Sequence, residues 1–215
     1  MKPYPLIGMA MATRLEAAPF ISGLDLRPEA MGPFSVYKAE NIVLTITGMG
    51  QTNAAMACTC MCMRFSPACL VNIGAAGAAA GEGFALGGIY HVSEAVAPDR
   101  LHFRTGRPFV LEPDVLPGFR TARVATRDQA VVAPENRRNM ARLAELSDME
   151  GAAVIQVARK FKIPCFLFKF VSDTPEHITD TEIPANIRRY RDSLFDFFNT
   201  RVLPELQKRF GLRQG

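Results

Sequence analysis

Short apolar runs separated by polar turns set the pattern of the first half of the chain. Residues 6–11 are uninterruptedly apolar, as expected of a strand buried on both faces of a parallel sheet. Residues 34–37 and 42–47 read as two strands joined by a turn at 38–41. Residues 69–73 form a further buried run and open into 74–78, where small residues let a ligand approach the backbone. A turn and strand follow at 87–95. From 98 to 119 Pro, Arg and Gly break any periodicity, which predicts an irregular excursion with a short strand at most. Residues 120–126 alternate like a half-buried strand.

Helical signals lie between these runs. Thr13 with Glu16 three residues later forms a capping-box pattern before a short helix. After Gly48-Met49-Gly50 a helix is predicted from Thr52 or Asn53 to about Arg64, with Cys58 and Cys62 on one face and Cys60 turned away. A polar helix is expected from about Pro134 to Glu145. A largely apolar one then opens at Leu146, with Asp148 as cap and Glu150 in its first turn. Residues 165–171 form an apolar strand broken only by Lys169, a charge that needs a partner there. Residues 183–210 read as one long closing helix. Strands alternating with helices, without linker or repeat, predict a single α/β domain over residues 1–215.

Composition narrows the class. The chain has 215 residues, 48% hydrophobic and 21% charged, ordinary for a globular protein and too apolar for disorder. A net charge of +4 comes mainly from scattered arginines, not a dense run, so nucleic acid is not an expected partner. No apolar stretch reaches the length of a membrane span, and the N-terminus lacks a secretory pattern. The 5 cysteines in apolar surroundings fit a reducing cytoplasm, and their helical placement does not suit a tetrahedral metal. The Gly-rich segments lack the dinucleotide fingerprint, so no cofactor is expected.

The candidate chemistry is carboxylate chemistry. Glu150 opens a helix and Asp173 ends a strand, a unit able to bring two acids to one mouth. Glu16 follows the first strand, where open α/β sheets place ligands, and can be read as a helix cap or as a catalytic base. The Gly48–Gly50 turn can hold an anion or ribose on free N–H groups, or serve only as a tight turn.

The run Asp148-Met149-Glu150-Gly151-Ala152-Ala153, followed about twenty residues on by Lys169-Phe170-Val171-Ser172-Asp173, resembles the nucleoside phosphorylase and nucleosidase superfamily. Its hydrolytic branch contains the methylthioadenosine/S-adenosylhomocysteine nucleosidases and the futalosine hydrolases. Asn72-Ile73-Gly74-Ala75-Ala76-Gly77 resembles the family's Gly-rich strand end, and Ala12-Thr13-Arg14-Leu15-Glu16 its first loop. The resemblance implies a three-layer α/β/α sandwich around a mixed, partly closed sheet, often dimeric. It also implies hydrolysis of the N-ribosidic bond of a 5′-modified purine nucleoside. Asp173 would serve the base, Glu150 the ribose hydroxyls and Glu16 the attacking water, with Met149 on the sugar. Ser172, Lys169, Gly74, Ala75 and the backbone near Val131 would complete the substrate site. Ala75 replaces a serine usual in nucleosidases, and Lys169 replaces an arginine. The 98–119 segment is expected to shape the pocket for the 5′ substituent. Two alternatives stand: a phosphorylase holding phosphate with Arg14, Lys169 and the Gly48–Gly50 turn, and a nucleoside-binding protein that has lost catalysis.

Overall fold

Strand β5 (Cys69–Ala78) is where two parts of one sheet meet, because it pairs with strands on both sides and with a third near its end. The computed structural model describes residues 5–79, 83–131, 133–176, 179 and 181–211. On one side of β5 lie β1 (Ile7–Met11) and β4 (Ile42–Ile46), both parallel. Beyond them come β3 (Phe34–Lys38) and β2 (Arg27–Met31) as an antiparallel hairpin at the edge.

On the other side the sheet closes. β5 pairs in parallel with β10 (Cys165–Asp173), which pairs antiparallel with β6 (Ile89–Leu101). β6 runs parallel to β8 (Thr121–Thr126), β8 to the short β9 (Leu146–Asp148), and β9 returns to β5. The ring is curved where registers shift, at Val92/Glu94 and Val171/Asp173, because bulges bend a strand and increase its twist. The second shift lies at Asp173, where the chain leaves the ring to present a side chain.

Alternation along buried strands supplies two cores. Ile7, Met9 and Met11 of β1, with Phe166, Phe168 and Phe170 of β10, face α1 (Arg14–Gly23), α5 (Glu182–Phe197) and α6 (Leu203–Phe210). Ala10, Leu70, Leu167 and Val171 point the other way, toward α2 (Gln51–Phe65) and α4 (Gly151–Phe161). Cys58 and Cys62 lie in that second core, while Cys60 is half-exposed. The result is the mixed, partly closed sheet between helical layers expected for the chain.

Three local expectations change. Residues 98–119 hold more strand than expected: β6 continues to Leu101 and pairs with β7 (Pro108–Leu111) in a hairpin, while 112–119 stay irregular. Interstrand pairing overrides the poor local pattern. The helix expected to Glu145 is the shorter α3 (Pro134–Ala141), and Leu146–Asp148 becomes the strand that closes the ring. The closing helix is interrupted by a π-helical turn at Phe198–Val202, just before Pro204, which cannot continue the donor ladder of an α-helix.

Candidate active site

The C-terminal ends of β1, β5, β9 and β10 open onto one cavity of about 200 Å³. Glu16, Ala75, Val131, Met149, Glu150, Ser172 and Asp173 all line it. So do Asp148 and Gln129–Val131 of the loop after β8, while Met49, Ile183 and Ile187 supply apolar wall. Gly74 and Lys169, expected in the same site, stand behind the lining. No residue between 98 and 119 contributes, so the hairpin does not shape this cavity within one chain.

Glu16 closes the capping box with one carboxylate oxygen and turns the other toward the cavity. Thr13 N and Oγ1 donate to Glu16 Oε2 at 3.0 and 2.6 Å, and Glu16 N donates to Thr13 Oγ1 at 3.3 Å, a complete capping box. The other oxygen, Oε1, accepts from Ala75 N at 2.8 Å. Each carboxylate oxygen has two acceptor sites, so Oε1 retains one toward the cavity. Gly74 makes this approach possible, since a Cβ there would lie 2.7 Å from Oε1.

Glu150 is not held as the sequence suggests. Helix α4 begins one residue later, at Gly151, and the Glu150 side chain makes no cap bond to its own helix. Its Oε1 instead accepts from Gly50 N at 2.9 Å, at the start of α2. Gly50 has φ of 96°, a conformation open to glycine and strained for side-chain-bearing residues. Asp148 takes the α4 cap bond, accepting from Gly151 N at 2.9 Å and from Thr126 Oγ1 at 2.6 Å. It also pairs with Lys169 Nζ at 2.7 Å. Lys169 is 1% exposed, so its charge is committed to this pair.

These contacts set the ionisation of the sugar end. Burial pushes the Glu150 carboxyl up to about 7, and the Lys169 ammonium and the Gly50 N–H only partly oppose it. Burial alone would lower the Lys169 pKa, but Asp148 and Glu150 outweigh it and hold it above its ordinary value.

Asp173 ends β10 with both oxygens engaged. Ser172 Oγ donates to Oδ1 at 2.6 Å, and Arg137 Nη2 donates to Oδ2. Arg137 reaches from α3 and also donates through Nη1 to Ala78 O at 2.6 Å. It is only 2% exposed. No sequence signal marks this arginine, which stands among polar residues of a helix with no distinctive pattern. Gly77 leaves room for Asp173, because a Cβ there would meet Oδ2 at 2.6 Å.

The α2 N-terminus is occupied by carboxylates. Gly50 N serves Glu150, and Gln51 N donates to Asp128 Oδ1 at 2.6 Å. Arg14 is exposed. The three groups named for a phosphate cradle are therefore spent elsewhere or turned to solvent. Among the described residues no cluster of His, Cys, Asp and Glu is arranged to hold a metal ion, and no helix is long and apolar enough to cross a membrane.

A half-closed α/β sheet with an acid-lined cavity at its strand ends defines a small-molecule site built for acid–base work. The chain belongs to the phosphorylase superfamily, whose family model matches residues 10–200. It is 25% identical to a 5′-methylthioadenosine/S-adenosylhomocysteine nucleosidase of Arabidopsis thaliana, over 95% of this chain and 96% of that one. A nucleosidase of the same name from Listeria monocytogenes is 29% identical, over 63% of this chain and 70% of that one. In structure it is similar to a futalosine hydrolase of Helicobacter pylori, with a TM-score of 0.81 and 19% identity over 93% of this chain and 99% of that one. It is equally similar to the Helicobacter pylori 5′-methylthioadenosine/S-adenosylhomocysteine nucleosidase bound to butyl-thio-DADMe-Immucillin-A, at 0.81 and 17% over 94% and 99%.

Proposed function

We propose that the protein is a single-domain purine nucleosidase that hydrolyses the N-ribosidic bond of a 5′-modified purine nucleoside. The substrate is of the methylthioadenosine, S-adenosylhomocysteine or futalosine type, and water is the acceptor. The observation that carries this reading is the convergence of Glu16, Glu150 and Asp173 on one cavity whose cations are already paired. Four carboxylates, with Asp148, face two buried cations, Lys169 and Arg137. Such a field favours a developing oxocarbenium ion and disfavours phosphate.

The roles follow from position. Glu16, with one acceptor site free, orients and deprotonates the attacking water. Ala75 supports it through its backbone N–H, so the hydroxyl of the usual serine is dispensable for holding Glu16. Glu150 accepts from ribose hydroxyls and favours the cation, with Met149 against the sugar. Asp173 gives a proton to the purine N7 as the C1′–N9 bond breaks, and Ser172 holds its Oδ1. The backbone near Val131 borders the base. Met49, Ile183 and Ile187 offer an apolar wall for the 5′ substituent.

Base release from methylthioadenosine, adenosylhomocysteine, futalosine and inosine, with and without phosphate, tests the reading. Release without phosphate is expected, with Asp173→Asn slower by about 10²-fold or more. Strict phosphate dependence, or tight nucleoside binding with no turnover, would sink it.

The protein acts as a cytoplasmic homodimer, needing no cofactor. Met56 and Met63 lie seven residues apart on α2 and are 49% and 73% exposed. Seven residues return a helix nearly to the same face, so this is an apolar stripe. Phe161 at the end of the neighbouring α4 is also exposed. A second copy of the chain is the partner that would cover it.

A further inference from the structure

Arg137, behind the cavity wall, has no part in the roles above, and a surface explanation does not fit it. It is buried, it spans from α3 to β5 and β10, and its Nε has no hydrogen-bond partner among the described residues. An arginine kept only for stability gains nothing from burial with one donor unspent. Its two terminal nitrogens hold two fixed points, the Ala78 carbonyl and Asp173 Oδ2. The fork therefore fixes Asp173 against the end of β5. It also anchors α3, which follows the cavity-lining Gln129, Ala130 and Val131, to β5 and β10.

We propose that Arg137 is a positioning residue for Asp173: it orients the carboxyl and stabilises the carboxylate left when the proton has passed to the departing base. The inference rests on the nucleosidase reading and on Asp173 as the acid. In the reacting complex the Asp173 proton moves to N7, the C1′–N9 electron pair goes to the base, and the base leaves neutral. The carboxylate that remains is the species the Arg137 fork holds. Water adds to C1′ and gives its proton to Glu16, and exchange with solvent restores the acid. Ser172 Oγ can follow this cycle without moving far. It lies 2.6 Å from Asp173 Oδ1 and 3.3 Å from Ala76 O, so its proton has one acceptor when Asp173 is charged and another when it is not.

The test compares leaving groups. A 4-nitrophenyl riboside departs without protonation, whereas a purine nucleoside needs the proton. Arg137→Met is expected to lower kcat on methylthioadenosine or inosine by about 10²-fold, with KM little changed, and to spare the nitrophenyl riboside. Arg137→Lys should recover only part, because an ammonium lacks the fork that serves two acceptors. Withdrawing a positive charge from beside a carboxyl favours its protonated form, so the alkaline limb of kcat on the purine nucleoside should move to higher pH in Arg137→Met. That pH profile decides the matter by itself if the nitrophenyl riboside is not cleaved. Equal loss on both substrates with an unmoved pH profile, or no loss on the purine nucleoside, overturns the proposal. Asp173→Asn is the control: if it keeps full purine activity, the nucleosidase site assignment fails with it. If Asp173→Asn is impaired and Arg137→Met is not, only the role of Arg137 fails.

Discussion

Glu150 shows how one side chain can be right in kind and wrong in attachment. Its presence at a helix start was legible from the sequence, but a helix-start carboxylate is normally explained by its own helix, and this one bonds to Gly50 of another. The consequence is a pH dependence with a definite sign. Burial holds the folded-state pKa at about 7, above the ordinary value of 4.5, so between these limits the folded protein binds more protons than the unfolded chain. The stability Glu150 contributes is present at low pH and is lost as pH rises through that window. Glu150→Gln should therefore raise Tm relative to the parent at pH 8, with the difference shrinking toward pH 5, while base release falls by about 10²-fold or more. Thermal melts across pH check the first part; an unchanged Tm difference would show that Glu150 is not the titrating group. Glu16 is the opposite case. Both of its sequence readings were available; the cap is made on Oε2, while Oε1 borders the cavity where the proposed base would act.

Among the elements, β6 runs further than its sequence suggested. Its last residues, Pro98–Leu101, open the irregularly patterned stretch and become strand because β7 supplies the missing hydrogen bonds. His91 ties the earlier half of β6 to its neighbours. It is fully buried, its Nδ1 bonds to Leu167 O at 2.8 Å, its Nε2 accepts from Leu116 N at 2.9 Å, and its ring stacks on Phe168 at 4.2 Å. That pattern fits only the neutral ring, with the proton on Nδ1. Burial lowers the His91 pKa below 6.5, partly offset by the bond to Leu167. The unfolded chain thus takes up this proton first as pH falls, and stability drops below about pH 6.5. The sign is opposite to that of Glu150, so the two slopes partly cancel in the parent protein. His91→Gln should be less stable at pH 8 but lose less stability between pH 7 and 5, which equilibrium urea unfolding would read directly. An acid slope identical to the parent's would rule His91 out.

The whole molecule adds the question of what covers α2. Met56→Glu with Met63→Glu should convert the dimer to monomer in sedimentation or size-exclusion measurements; a parent that is already monomeric at micromolar concentration would refute the dimer. Single-chain closure of the cavity by the 98–119 hairpin is already excluded by its position. The sequence by itself determined the alternation of buried strands and helices, the two-sided burial of the sheet, and the three acids with their neighbouring glycines. These are properties of local period and residue type, which side-chain direction along a strand or helix imposes. Only the tertiary structure decided that β9 closes the ring, that Lys169 pairs with Asp148, and that Arg137 stands behind Asp173. Each of those is a partnership between residues at least twenty apart in the chain. Which charge neutralises which inside a core depends on where the strands bring them, a matter that periodicity does not encode.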